Sequence, residues 1–391
     1  MVTFQQSLRP LFFMCFIMGL GSLSKNQSNI RWVVHLNVLY SLIIWSAYMY
    51  LFFYINVHFA QEILYETLAI KMCEMCNFLI SITYVIMSFY HQKRFEINIK
   101  KLAAVDDTLE KLGTPKMYEK LYAKSKQLIF GWLVYVLIIN FFDTIWWLRF
   151  EELASWGLYM AHIINFYVHM NAFVDMLFIF FLWYIGTRFD KVKEHIQCLL
   201  MREDDGLTRM ISVNALDRYT LCIDYKLTLW TSMHLYLELI RLTRELSLIF
   251  TVQMTFEMAS CLLYLTSLFY YVYYMLYVIQ EQDETYTIYD WFSIIVWVSM
   301  FLVRLYIVNY ICENVTEKAN KINKLFHRFT YIRQNADAWE EIYQFTLQTM
   351  HSPLKFTGMG LFYFGYEFLR KFCVANVMYV IIMVQLKIFL Y

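Results

Sequence analysis

The stretch VMYVIIMVQLKIFLY (377–391) sets one amide, Gln385, among aliphatic side chains. Glutamine offers two N–H donors and a carbonyl acceptor, and inside a bilayer such a group must face protein or water. Two uses fit. A ring of these amides around an axis replaces the hydration shell of a passing ion; a single amide hydrogen-bonds to a neighbouring helix. The helix face through Gln385 also holds Met378, Ile381 and Ile382, followed by Ile388 or Phe389. Branched aliphatics ringed one turn from the amide would close a pore by dewetting, although VIIMV is equally good as lipid-facing helix.

A second set of residues could bind a small molecule. Tyr65, Asp143, Trp146, Trp147, Trp156, Tyr159, His162, Asn165, Tyr277, Gln280 and Trp291 lie at one end of successive apolar segments. Pockets for small ligands are mostly apolar with a few placed polar groups, and aromatic faces also hold cationic or planar molecules. Membrane-interface belts use the same residue types without any ligand. His162 and Asn165 stand out because they are one turn apart on one helix face. A third set, Asp175, Glu257 and Arg304, is charged and deep within apolar runs. These three either meet as a buried salt bridge, or Arg304 snorkels to the headgroups.

Other chemistry is not supported. Cys73 and Cys76 form a C-x-x-C with no second half, inside an apolar run, and read as buried thiols. The histidines are scattered, no P-loop, G-x-S-x-G or H-E-x-x-H occurs, and neither a metal nor a cofactor is expected. The net charge of +1 gives no footprint for nucleic acid.

The elements that must position these residues are membrane helices. Of the 391 residues 60% are hydrophobic and 17% charged, with only three prolines to interrupt long helices; soluble domains carry about 25% charge. A bilayer core ~30 Å thick needs roughly 20 apolar residues as helix. Segments 32–55, 67–90, 127–148, 157–186, 246–279, 291–312 and 373–391 meet that requirement. Lysines and arginines crowd 1–31, 91–126, 187–245 and 313–372 and nearly vanish from the alternate connections. The positive-inside rule therefore predicts seven transmembrane helices, with the N-terminus cytoplasmic and the C-terminus extracellular.

The basic connections 91–126, 187–245 and 313–372 show apolar residues at helical spacing. They predict an all-α membrane protein whose helices extend into a cytoplasmic anchor layer. Turns are expected at Gly113–Pro115, at REDDG (202–206) and at Ser352–Pro353. Segment 11–21 is too short to span and is expected to lie against the inner membrane face.

The C-terminal residues FTGMGLFYFGYEFLRKFCVANVMYVIIMVQLKI carry a family resemblance. A Gly-Phe-rich stretch precedes a basic-flanked helix with Tyr379, five hydrophobics and Gln385, at the spacing of the Thr-Tyr-(five hydrophobics)-Gln-Phe motif of insect gustatory receptors. Met378 and Leu386 replace the motif's Thr and Phe. The chain resembles that family, part of the seven-span ligand-gated channel superfamily that includes insect odorant receptors. The resemblance implies a plasma-membrane cation channel, a homotetramer or heterotetramer with related receptors, opened by a small-molecule tastant in an extracellular-facing pocket. It implies that residues 373–391 line the pore, with Ile382 a hydrophobic constriction three residues before Gln385. Val380 stands where sugar-responsive members carry Glu, which points away from a sweet ligand. A seven-span metabotropic receptor and a membrane transporter are the alternatives. The predicted orientation opposes the first, and the lack of related halves opposes the second.

Overall fold

The computed structural model describes residues 3–20, 31–58, 68–148, 157–209, 215–282, 288–332 and 339–386. Their apolar, proline-poor sequence folds into α1 (Phe4–Ser7), α2 (Arg9–Ile17), α3 (Arg31–His58), α4 (Leu68–Lys111), α5 (Tyr118–Trp147), α6 (Gly157–Ile164) and α7 (Phe166–Arg209). These are followed by α8 (Ala215–Gln282), α9 (Ile288–Ile332), α10 (Trp339–His351) and α11 (Tyr366–Leu386). Six helices, α3–α5 and α7–α9, are long and apolar enough to cross a membrane among the described residues. α11 is a seventh apolar helix; positions 387–391 of the predicted seventh span, including Ile388 and Phe389, lie outside the described residues.

α7 is the central helix. Its span is 78% buried, against 17% for α5 and 22% for α9. The sequence accounts for this: Met170, Phe173, Val174, Leu182 and Phe189 are fully buried on α7, whereas Leu137 and Phe141 on α5 and Val303 on α9 point outward. In lipid such outward apolar side chains carry no penalty. α4, α7, α8 and α9 run 44, 44, 68 and 45 residues. At 1.5 Å per residue each is at least about twice as long as the hydrocarbon core is thick, so each projects beyond it.

The projecting parts pack around aromatics and one buried ion pair. Tyr236, Phe326 and Phe345 bring α8, α9 and α10 together at ring distances of 4.8–6.1 Å. Arg188 Nε lies 2.8 Å from Asp106 Oδ1, with both side chains almost wholly buried, and the Tyr184 hydroxyl joins the pair. Removing one partner of a buried pair costs roughly 3–5 kcal/mol because the other charge stays uncompensated. Arg188→Met should therefore lower the thermal unfolding midpoint of the detergent-purified protein by several degrees, and Arg188→Met with Asp106→Leu should recover most of the loss. The turn after α4 is closed by Lys116, 2.6 Å from Asp107 and 2.8 Å from Glu110. Its hydrogen bond to Asp107, then that to Glu110, raises the lysine pKa above its ordinary value.

Several expectations change. The segment at 157–186 is not one helix: α6 ends at Ile164 and α7 starts at Phe166, with Asn165 at a bend. REDDG does not turn; α7 continues to Arg209, because four of its five residues tolerate helix and one glycine costs only about 1 kcal/mol. The N-terminal segment packs into the helical bundle. Leu8, Leu11 and Cys15 are fully buried, and Phe4 packs on Tyr118 and Tyr184 at 5.6 and 5.4 Å. Turns do fall at 112–117, and α10 ends at His351, just before Ser352–Pro353.

The Gly-Phe-rich stretch is a clamp. β1 (Thr357–Gly358) pairs antiparallel with β2 (Phe362–Tyr363). In the three-residue loop between them, Leu361 N–H donates to Gly358 O at 2.8 Å, and Met359 and Gly360 at the centre of that turn have φ of 50° and 78°, both positive as a primed turn requires. Thr251 of α8 holds the clamp, donating to Thr357 O at 2.9 Å and accepting from Met359 N at 3.2 Å. Gly365, at φ 141°, donates its N–H to Asn309 of α9 at 3.0 Å, and a Cβ there would strike the Glu313 carboxylate. α11 therefore starts at Tyr366, seven residues before the predicted boundary at 373.

Candidate functional site

The bend at Asn165 sets one carboxamide in the middle of a polar network otherwise surrounded by apolar helices. Asn165 Nδ2 donates to Asp143 and, at 3.3 Å, to Asn140 Oδ1. Asn140, on α5, also pairs with His162 Nδ1 and His169 Nε2, each at 2.8 Å. Trp297 of α9 donates its indole N–H to the other Asp143 oxygen at 3.1 Å. Four elements (α5, α6, α7 and α9) are thereby tied together at one level of the bundle.

Next to this network is a cavity of about 170 Å³. Asp143, Trp147, Asn165 and Trp297 form one side. Tyr167 and Tyr264 form another, with hydroxyls 3.3 Å apart. Glu74 of α4, Ser267 of α8 and Ser293 of α9 complete the polar lining. The cavity offers carboxylates, hydroxyls, an amide and aromatic side chains, which suits recognition of a compact polar molecule.

The sequence candidates divide. Asp143, Trp147 and Asn165 line this cavity. His162 turns instead into an outward cleft of about 580 Å³ lined by Leu137, Phe141 and Leu158, since the bend separates it from Asn165. Tyr159 is 60% exposed on the bundle surface, and the half-buried Tyr277 and Trp291 do not line the cavity. Tyr65 and Trp156, and the side chains of Trp146 and Gln280, lie outside the described residues. Glu74, Tyr167, Tyr264, Ser267, Ser293 and Trp297 were not singled out. Each looks like ordinary interface or core sequence, and only the packing of four helices brings them to one space.

Arg304 reaches both Asp175 and Glu257. The two carboxylates are 2% and 3% exposed, and the guanidinium 11%, so it pairs within the protein rather than snorkelling out. Three charges on α7, α8 and α9 meet below the cavity.

α11 packs on α8 and α9 through one face. Phe372 and Asn376 are buried, and Asn376 Nδ2 donates to Thr266 Oγ1 at 3.1 Å and to Leu262 O at 3.4 Å. The opposite face is uncovered. Met378, Ile381 and Ile382 are 58%, 50% and 43% exposed, and Gln385 is exposed with them. No other helix of the same chain covers that amide among the described residues. The α8 stretch 262–268 thus holds α11 through Leu262 and Thr266 while lining the cavity through Tyr264, Ser267 and Leu268.

Comparison with known proteins places this arrangement. The family model described as 7tm chemosensory receptor matches residues 8–389, and the chain belongs to that family. Its fold is that of the insect olfactory receptor OR5 from Machilis hrabei, at TM-score 0.69 and 11% identity, with 98% of each chain covered. A structure of that receptor in complex with eugenol aligns at TM-score 0.59 and 14% identity, again over 98% of each chain. No curated protein sequence matches the chain.

Proposed function

We propose that the chain is a gustatory receptor: a ligand-gated, non-selective cation channel of the plasma membrane, opened by a small molecule bound in the cavity beside Asp143. Four subunits, identical or related, stand with their α11 helices around a central axis. The N-terminus is cytoplasmic, the cavity faces outside, and the projecting helices with 313–372 form the anchor layer. Gln385 lines the pore, Met378 and Ile381 continue the same face, and Ile382 narrows it by dewetting.

The observation that carries this reading is the two-sided α11. An amide-bearing face free of cover within the subunit calls for water or other subunits, while Asn376 fastens the opposite face to the helix that walls the cavity. A ligand that binds the cavity more tightly when α11 stands outward will populate the open state, and differential affinity is all that gating requires.

The direct test is recording from cells that express the chain alone, with a panel of small molecules. Ligand-evoked unitary currents support the reading. Second-messenger responses without current, or small transport currents without unitary steps, would overturn it. Cysteine placed at 385 (Gln385→Cys) should be blocked by a water-borne thiol reagent faster when ligand is present. Asn376→Leu removes a hydrogen bond of the kind worth roughly 1 kcal/mol in membranes. It should move the half-activating ligand concentration several-fold, with surface labelling unchanged.

A further inference from the structure

Asp143, half-buried, differs from the fully buried carboxylates. Asp106 pairs with Arg188, and Asp175 and Glu257 pair with Arg304. Asp143 accepts only from the neutral groups of Asn165 and Trp297, and no lysine or arginine pairs with it among the described residues. The cavity it borders includes a second carboxylate, Glu74, and its described lining contains no lysine, arginine or histidine. Its lining includes the aromatic side chains of Trp147, Trp297, Tyr167 and Tyr264.

Among the described residues, arginine thus neutralises the fully buried carboxylates Asp106, Asp175 and Glu257, and Asp143 is left without a cation where there is space for a guest. We infer that the guest is a small organic cation: a protonated amine with an aromatic or alicyclic body. Each Asp143 oxygen accepts one neutral hydrogen bond and keeps a second lone pair for an ammonium N–H. The aromatic walls attract the same charge through their ring faces and enclose the apolar body. A neutral polyol would use the hydroxyls and amide but would leave uncompensated the charge of a carboxylate already half withdrawn from water. An anion would meet two carboxylates and, in the described lining, no lysine or arginine.

The ligand class rests on the channel reading for its physiological purpose, but binding can be measured without current. Purified full-length protein in detergent is heated with 2-phenylethylamine, cyclohexylamine or the quaternary trimethyl(2-phenylethyl)ammonium. Parallel samples contain the uncharged 2-phenylethanol, cyclohexanol and fructose. The same compounds are applied to cells under voltage clamp. The amines should raise the unfolding temperature and the uncharged compounds should not. Asp143→Asn should weaken the amine effect at least tenfold in concentration, Asp143→Glu should recover part of it, and Glu74→Gln provides a second variant should Asp143→Asn fold poorly.

Amine stabilisation that depends on Asp143, without current, would uphold the cation site and count against the channel. Currents evoked equally by alcohols or fructose would uphold the channel and overturn the cation site. Absence of stabilisation by every amine on folded protein would also overturn it.

Discussion

Arg304→Met will remove most of the protein from the cell surface. The substitution leaves Asp175 and Glu257, 2% and 3% exposed, without the one cation that faces them both among the described residues. Breaking a buried pair costs about 3–5 kcal/mol, comparable with much of the net stability of a domain. Here two carboxylates are stranded together, so the cost lies at the upper end unless a proton is taken up. Surface biotinylation should fall at least fivefold. The triple variant Arg304→Met, Asp175→Asn, Glu257→Gln removes all three charges and should restore surface labelling. If the single variant reaches the surface normally, the three groups do not form the ionised cluster described here.

Gln385→Arg will abolish cation current and leave surface labelling intact. The residue is exposed on α11, so an arginine there strains no packing within the subunit. In the proposed tetramer four guanidinium groups would surround the axis. At roughly 8 Å and an effective dielectric near 20, each repels a permeating monovalent cation by about 2 kcal/mol, and four together reduce cation flux more than a hundredfold even after counter-ion screening. Gln385→Glu should act oppositely, raising the preference for divalent over monovalent cations. Unchanged conductance in both variants would place the side chain away from the conduction path and sink the pore assignment.

The long helices were legible because apolar periodicity and the scarcity of proline leave few alternatives, and the basic connections carried enough apolar spacing to read as helices that continue. The break at Asn165 was not. The local sequence, HIINFY (162–167), has neither glycine nor proline, and the bend follows from side-chain bonds to Asn140 and Asp143 on another helix. The same bonds explain the mixed outcome for the ligand candidates. Asp143 and Asn165 were conspicuous as polar residues in apolar runs. His162 shares a face with Asn165 only on an unbroken helix, and the bend sends it to the outward cleft. Glu74 is a single acidic residue in an apolar run, and its place in the cavity lining depends on how α4 packs on α7 and α8, which no local pattern records. Asn376 was passed over as part of a span, because its partners lie 110 and 114 residues away.

α8 runs 68 residues without proline or glycine, and kinks need such residues or an equivalent defect. It behaves as a lever. Tyr264 touches the cavity, Thr266 touches α11, Glu257 meets Arg304, Thr251 pins the hairpin, and Tyr236 sits among the aromatics of the projecting end. A tilt of a degree or two at one end displaces the other, ~100 Å away, by about 2–3 Å. In the proposed channel a rod that long would turn small rotations at the cavity into measurable strokes at its distant end.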